Sequence, residues 1–355
     1  MAGFHGLEAS ADIKRLIRDY GVGGVILFAR NVDGPEQVAD LVRELQAAAR
    51  AARHADPLLV AVDQEGGRVA RLRAPWTEWP PLRLVGQAGS EDLAREMGRA
   101  LAEELTACGI RCDFAPVMDV DTNPKNPVIG DRSFGDDPSL VARLGVAMIA
   151  GLQDGGVAAC AKHFPGHGDT DVDSHLDLPA VDHSPARLED VELRPFRAAV
   201  EAGVATVMTA HVLVRELDAL LPATLSPMVV RALLREKMGF GGVVVSDDLE
   251  MKAVSKRWSP GRAAVLAAQA GCDILPFCAS HDAQVEGLEA VVRALESEEL
   301  PWTSLDDSLR RISRLKERFL RPWRDPDPKE ARLAAGEGRW VALARDIAAR
   351  GGVAV

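Results

Sequence analysis

The sequence predicts an α/β fold, a single (β/α)8 TIM-type barrel. Three features carry this expectation: short apolar runs rich in β-branched residues, amphipathic stripes between them, and titratable side chains just past the runs. The runs are 23–28 (GGVILF), 58–62 (LLVAV), 114–120 (FAPVMDV), 157–161 (VAACA), 205–210 (ATVMTA), 241–245 (GGVVV) and 272–277 (CDILPF). Each is too short for a helix, and continuous apolar runs suit parallel strands buried on both faces. Between them, Leu93, Met97, Leu101 and Leu105 repeat every four residues behind Ser90, a helix N-cap. Leu193, Phe196 and Val200 make a second stripe. Leu305, Leu309, Ile312, Leu315 and Phe319 make a third, with Thr303 and Asp306 as a capping box. Strand–helix alternation of this kind means a parallel α/β fold, either a doubly wound sheet or a barrel. Seven strands plus a weak eighth favour the barrel. No GxGxxG follows a strand and no GxxxxGK[ST] occurs, so the nucleotide fingerprints are missing.

The segment 321–328 (RPWRDPDP) cannot continue a helix or join a central strand. A last helical stretch is expected over 339–350. The domain reading is therefore a catalytic barrel over 1–321 and a C-terminal extension over 322–355, either a docked tail or the start of a second domain.

With 355 residues, 47% hydrophobic and 27% charged, the chain has a globular composition and is neither disordered nor fibrous. No apolar run approaches the roughly 18 residues of a membrane helix. The start, MAGFHGL, lacks the basic and apolar regions of a secretory signal. Acidic residues number 53 and basic ones 42, with no dense Lys/Arg block, which argues against nucleic-acid or anionic-membrane partners. Five cysteines are too few for a disulfide framework in this length and read as buried thiols in a reducing cytosol. A cytoplasmic location is expected.

In α/β barrels chemistry sits where strands end. The run 58–62 leads into Asp63-Gln64-Glu65-Gly66-Gly67-Arg68, and 114–120 contains Asp119. Run 157–161 leads into Lys162-His163, 205–210 into His211, and 241–245 into Ser246-Asp247-Asp248. Burying ionisable groups is costly, so five strands delivering them to one rim mark a site and an enzyme. The densest stretch is 162–175, KHFPGHGDTDVDSH. Asp173 and His175, two apart, project to the same side of an extended chain, and a carboxylate beside an imidazole suits general acid/base work. Asp169, Asp171 and Asp173 begin like a calcium loop. Such a loop needs glycine sixth and glutamate twelfth, where this chain has Ser174 and Ala180. HExxH is absent as well. No metal and no cofactor are expected.

The stretch KHFPGHGDTDVDSH resembles the hallmark of glycoside hydrolase family 3 in its β-N-acetylhexosaminidase branch, K-H-[FI]-P-G-[HL]-G-x(4)-D-S-H, without a gap. VDQEGGRVARL at 62–72, NPVIGDRSFGDDP at 126–138, ELRPFRAAVEAGV at 192–204 and SDDLEMKAV at 246–254 resemble further family blocks in order, so the likeness spans about residues 20–320. It implies a retaining exo-β-N-acetylglucosaminidase acting on GlcNAc-containing glycosides such as muropeptides, as a monomer. Asp247 matches the nucleophile, His175 the acid/base and Asp173 its partner. Asp63, Arg71, Arg132, Lys162 and His163 match sugar binders. His211 matches a family histidine more loosely and equally fits a packed core position. Asp248, Glu65 and Arg68 are assigned supporting roles, with Glu65-Gly66-Gly67 read as a tight turn. Trp76 and Trp79 either stack on a sugar or pack. A β-glucosidase, a GlcNAc phosphorylase of the same fold and a metal-dependent barrel hydrolase are the alternatives.

Overall fold

The computed structural model describes residues 1–353; the last two residues of the expected extension, Ala354 and Val355, lie outside them. Six parallel strands form one sheet in chain order: β1 (Gly24–Leu27), β2 (Leu59–Val62), β3 (Cys112–Asp113), β4 (Ala158–Phe164), β5 (Thr206–Thr209) and β6 (Val243–Ser246). The register runs Gly24 to Leu59, Ala61 to Cys112, Cys112 to Ala158, Cys160 to Thr206 and Thr206 to Val243. Helices follow the strands, among them Glu91–Ala107 after β2 and Pro138–Asp154 after β3. This is the α/β arrangement the apolar runs predict.

Two expected strands differ. Regular pairing of β3 ends at Asp113, but the run 114–120 stays beside β4: Ala115 O and Pro116 O accept from Cys160 and Lys162 N–H at 2.8 and 3.3 Å, and Val117 bridges Lys162. Pro116 has no N–H to donate, so it interrupts the ladder, and pairing resumes beyond it with Met118 N–H donating to Lys162 O at 2.6 Å. The run 272–277 makes isolated bridges only, Ile274 with Val245 and Phe277 with Ala2; Ala2 also bridges Val25 of β1. Pro276 again interrupts the ladder, and Asp273 turns aside to pair with Arg235 and Arg311.

Alternate residues of each strand pack into two separate cores, as a period of two dictates. Val25, Leu27, Val60, Val62 and Val244 face the helices. Ile26, Leu59, Ala61, Cys112, Phe114, Cys160, Met208, Val243 and Val245 face inward, joined by Leu315, Phe319 and Leu320 from the helix Trp302–Leu320. The five cysteines are buried and unpaired, as expected of packed thiols. Trp76 and Trp79 are buried in the core.

The Ser90 N-cap forms, its hydroxyl accepting from Leu93 N–H at 3.3 Å. The capping box at Thr303 and Asp306 does not: the helix begins at Trp302 behind Pro301. In the extension, Gly338–Arg350 matches the expected helix, and Pro328–Ala334 adds a second that the proline-rich sequence concealed. Asp327 caps it, accepting from Lys329 N–H at 2.8 Å, and Pro328 sits at the first helical position, where no N–H is needed. Both helices pack against Glu91–Ala107. No helix among the described residues is long and apolar enough to cross a membrane.

Candidate active site

A cavity of about 300 Å³ opens at the C-terminal ends of the strands, lined by Asp63, Arg71, Arg132, Lys162, His163, His175 and Asp247 among others. A larger one, about 640 Å³, lies at the opposite end against Gly23, Leu59, Ile274 and Leu305. Its walls are mainly apolar, so the smaller cavity is where chemistry is concentrated.

The floor is a chain of alternating charges. Lys162, the fifth residue of β4, is 2% exposed, and its Nζ lies 3.0 Å from Asp63 Oδ1 and 2.6 Å from Glu65 Oε1. Asp63 also accepts from Arg71 Nη2 at 3.1 Å. Glu65 takes a two-pronged contact from Arg132, Nε to Oε2 and Nη2 to Oε1, both 2.8 Å. Burial alone would raise both carboxyls. For Asp63 the charge of Lys162 and then Arg71 outweighs it; for Glu65, Arg132 and then Lys162 do; Asp63 titrates below its ordinary value and Glu65 well below it. Lys162 is desolvated too, yet Asp63 and Glu65 hold its ammonium charged.

Local structure sets these side chains. Glu65 sits in a short hairpin, Gln64–Gly66 against Val69–Ala70. Its turn needs glycine: Gly66 has φ +98°, and a Cβ there would meet Pro80 O at 2.7 Å. Gln64 pins the hairpin, its Oε1 accepting from Arg71 N–H at 2.9 Å and its Nε2 donating to Leu72 O at 2.7 Å, which aims Arg71 at Asp63. Gly168 is obligatory for another reason: a Cβ there would stand 1.8 Å from Val120 O.

His163 forms the wall beside Arg132, its Nδ1 2.7 Å from Asp119 Oδ2. Asp119 also accepts the backbone N–H groups of His163, at 3.2 Å, and His167, at 2.7 Å. His167 is buried, and desolvation followed by the neighbouring His163 holds its pKa down at about 4.

Asp247 follows β6. Burial would raise its carboxyl, but His211, then His163, the Asp248 N–H at 2.8 Å and Lys162 together hold it below the ordinary value. His175 lies on the loop after β4 with its side chain 63% exposed, and its Nδ1 is 2.8 Å from Asp173 Oδ1. The same oxygen accepts the His175 backbone N–H at 2.8 Å, so Asp173 fixes both ring and backbone.

Of the residues singled out in sequence, Asp63, Arg71, Arg132, Lys162, His163, His175 and Asp247 converge on the cavity, and Asp173 joins them through His175. His211 does not line it. Its Nδ1 faces Thr224 Oγ1 at 2.8 Å and its Nε2 meets Asp248 O at 2.9 Å, the packed position. Trp76 and Trp79 are also absent from the lining. Glu65, assigned a supporting role in sequence, follows an apolar strand by three residues, as Asp63 does by one, and lies 1% exposed in the charge chain. Asp119 was placed at the rim in sequence without a role of its own, and His167, Phe28 and Arg30 were given none. Arg30 stacks over the Phe28 ring at 4.3 Å on the cavity wall. Among the described residues no set of three His, Cys, Asp or Glu side chains is arranged to hold a metal ion.

The model of the glycosyl hydrolase family 3 N-terminal domain matches residues 3–315. The chain belongs to glycosyl hydrolase family 3. This family 3 hydrolase is 44% identical to a beta-hexosaminidase of Thiobacillus denitrificans over 77% of its own length and 76% of the relative's. It superimposes on a family 3 beta-N-acetylglucosaminidase of Paenibacillus with a TM-score of 0.92 and 43% identity, over 99% of this chain and 67% of that one. NagZ of Neisseria gonorrhoeae, solved in complex with N-trifluoroacetyl-D-glucosamine, matches with a TM-score of 0.80 and 32% identity, over 99% of this chain and 97% of that one.

Beside Asp247 in the hydrolase, Asp248 behaves differently. Burial, with Glu250 and Asp247 nearby, pushes its carboxyl up to about 7, against the opposing Glu250 and Cys278 N–H bonds at 3.1 and 3.3 Å. The unfolded carboxyl loses its proton in the ordinary range, whereas the folded one keeps it to about pH 7. Stability contributed here therefore falls as pH rises across that window and is level above it. Asp248→Asn is expected to lose that slope and to gain stability relative to wild type between pH 5 and 8. Urea midpoints at the two pH values check this, and an unchanged slope in the variant refutes it.

Proposed function

We propose that this family 3 hydrolase is a retaining exo-β-N-acetylglucosaminidase that removes terminal β-linked GlcNAc from small glycosides such as muropeptides. The observation that carries the reading is one cavity holding both an ionised carboxylate, Asp247, and an imidazole, His175, oriented by a second carboxylate. Protonated His175 gives its Nε2 proton to the glycosidic oxygen as Asp247 bonds to the anomeric carbon and the C–O bond breaks. Neutral His175 then takes a proton from water, whose oxygen displaces Asp247. A histidine serves here because it is neutral after proton transfer and does not repel an anionic muramyl product as a carboxylate would.

Asp63, Arg71, Arg132, Lys162 and His163 are assigned to binding the sugar. Arg71 Nε supports this as a buried donor with no protein partner. A cavity near 300 Å³ suits one sugar ring and exo action. His211 is reassigned to supporting Asp247 from behind. The scaffold is proposed to be a closed eight-stranded barrel over 1–321. The bridges of Ala2 to Val25 and Phe277, and of Ile274 to Val245, support closure, with the N-terminal segment as the strand that apolar runs did not reveal. The segment 322–355 is proposed to dock as an extension, the protein to be a monomer and its location cytoplasmic.

The test is turnover of 4-nitrophenyl β-GlcNAc and of di-N-acetylchitobiose, with the first-formed anomer read by NMR. Release of β-GlcNAc supports the proposal. An α product, preference for β-glucoside, or phosphate-dependent formation of a sugar phosphate overturns it. In His175→Ala, turnover of the disaccharide should fall by roughly 10²–10⁴-fold, the usual range for a general acid. The first step with 4-nitrophenol as leaving group, which needs little protonation, should fall much less. Equal losses would remove His175 from the acid role.

A further inference from the structure

We infer that Ser174 is a positioning residue: its hydroxyl, donated to His167, and its carbonyl, accepting from Ala253, hold the Asp173–His175 loop against the Asp247 loop. The inference rests on the acid/base reading above. Ser174 stands between the two residues of the dyad, yet it is 2% exposed while the His175 side chain is 63% exposed. A residue buried between a half-buried aspartate and an exposed histidine is there for what it touches.

Counting protons around Ser174 assigns the bonds. Thr170 Oγ1 donates to His167 O at 3.1 Å, which uses its one proton. It accepts from Asn126 Nδ2 at 3.2 Å and faces His167 Nδ1 at 2.7 Å. With the threonine proton placed on that carbonyl, His167 Nδ1 is the donor, an arrangement the tautomer measurement below tests. Burial keeps this ring neutral near pH 7, so Nε2 carries a lone pair. Ser174 Oγ, 3.1 Å away, supplies the proton. His167 is in turn fixed to the body of the protein, its backbone N–H donating to Asp119 Oδ1 at 2.7 Å. The other side of Ser174 is tied to the segment after β6, with Ala253 N–H donating to Ser174 O at 3.2 Å. Lys256 and Arg257 meet Asp177 at 3.1 and 2.9 Å, but these exposed pairs contribute little. The buried serine is thus the connection that sets the distance between the acid/base and the nucleophile.

Ser174→Ala removes one oxygen and leaves Ala253 its acceptor. Displacing a reacting group by about 1 Å costs on the order of 10²-fold, so disaccharide turnover is expected to fall by about 10- to 100-fold with KM little changed. The 4-nitrophenyl first step should fall far less, and hydrogen exchange of amides 169–178 should quicken. Wild-type kinetics, or equal losses on both substrates, would overturn the proposal. A second measurement needs no variant: ¹⁵N spectra of histidine-labelled wild-type enzyme should show the Nδ1–H tautomer at the buried His167. The Nε2–H form would overturn the assignment. If His175→Ala shows no leaving-group dependence, the acid/base reading fails, while the tautomer and the exchange rates still decide the tie.

Discussion

Asp247→Asn is expected to reduce turnover of 4-nitrophenyl β-GlcNAc by roughly 10⁴-fold or more, as removal of a catalytic nucleophile does. The loss should fall on kcat and persist with every leaving group, unlike the loss in His175→Ala. The fold should be retained, because asparagine keeps the oxygen that accepts the Asp248 N–H at 2.8 Å and fills the same volume. The carboxylate is poised for attack: His211, His163 and Lys162 keep it ionised although it is buried. Asp247→Ala sharpens the test, because it opens space beside C1. Azide attacking from the vacated face would invert the anomeric centre once and give the α-glycosyl azide. A substrate whose own acetamido oxygen served as nucleophile would need no carboxylate at this position. Near-normal turnover in Asp247→Asn would therefore point to that route and end the covalent-enzyme proposal.

Legibility in the sequence followed the physics of each signal. β1, β2 and β5 lie within apolar runs because both their faces are buried, and β6 passes its run by one residue, the buried Ser246. β4 reaches beyond its run to Phe164, since Lys162 and His163 lie within the strand and are buried by the charge network rather than by apolar neighbours. Composition does not reveal that the apolar stretch 114–120 pairs irregularly, interrupted at Pro116 and bridged again at Val117. Ala2 carries no periodicity at all, so its bridges were invisible. In the site, charged residues directly after strands were readable, because nothing but chemistry explains them there. Glu65 was read as a supporting residue in a tight turn, and it stands in one, but its partners Lys162 and Arg132 could not be named from the sequence. For His211 the sequence left two readings open, a sugar binder and a packed histidine, and Thr224 and Asp248, which take both ring nitrogens, give the packed one. Which way a side chain turns depends on partners distant in sequence, and a single chain read alone does not show them.

Lys162→Met should produce the largest loss of stability, about 3–5 kcal/mol, the usual cost of removing one partner from a buried ion pair. Methionine fills the space of the lysine stem but leaves Asp63 and Glu65 facing each other with only Arg71 and Arg132 to compensate. In wild type both carboxyls titrate below their ordinary range, so the stability they contribute is present above the unfolded value and lost only as pH falls through the lower folded values. Lys162 is raised, so its contribution is complete below the ordinary lysine value and disappears only in strong alkali. Without the ammonium, burial dominates and the folded carboxyls titrate upward. The folded variant then holds a proton the unfolded chain has lost, and its stability improves as pH falls. The gap to wild type should be wide at pH 8 and narrower at pH 5, as measured by urea unfolding. Adding Glu65→Gln to Lys162→Met should recover part of the loss, because the second charge is removed from the same buried contact. A pH-independent gap, or a double variant no more stable than Lys162→Met alone, would show that the lysine acts through packing and not through its charge.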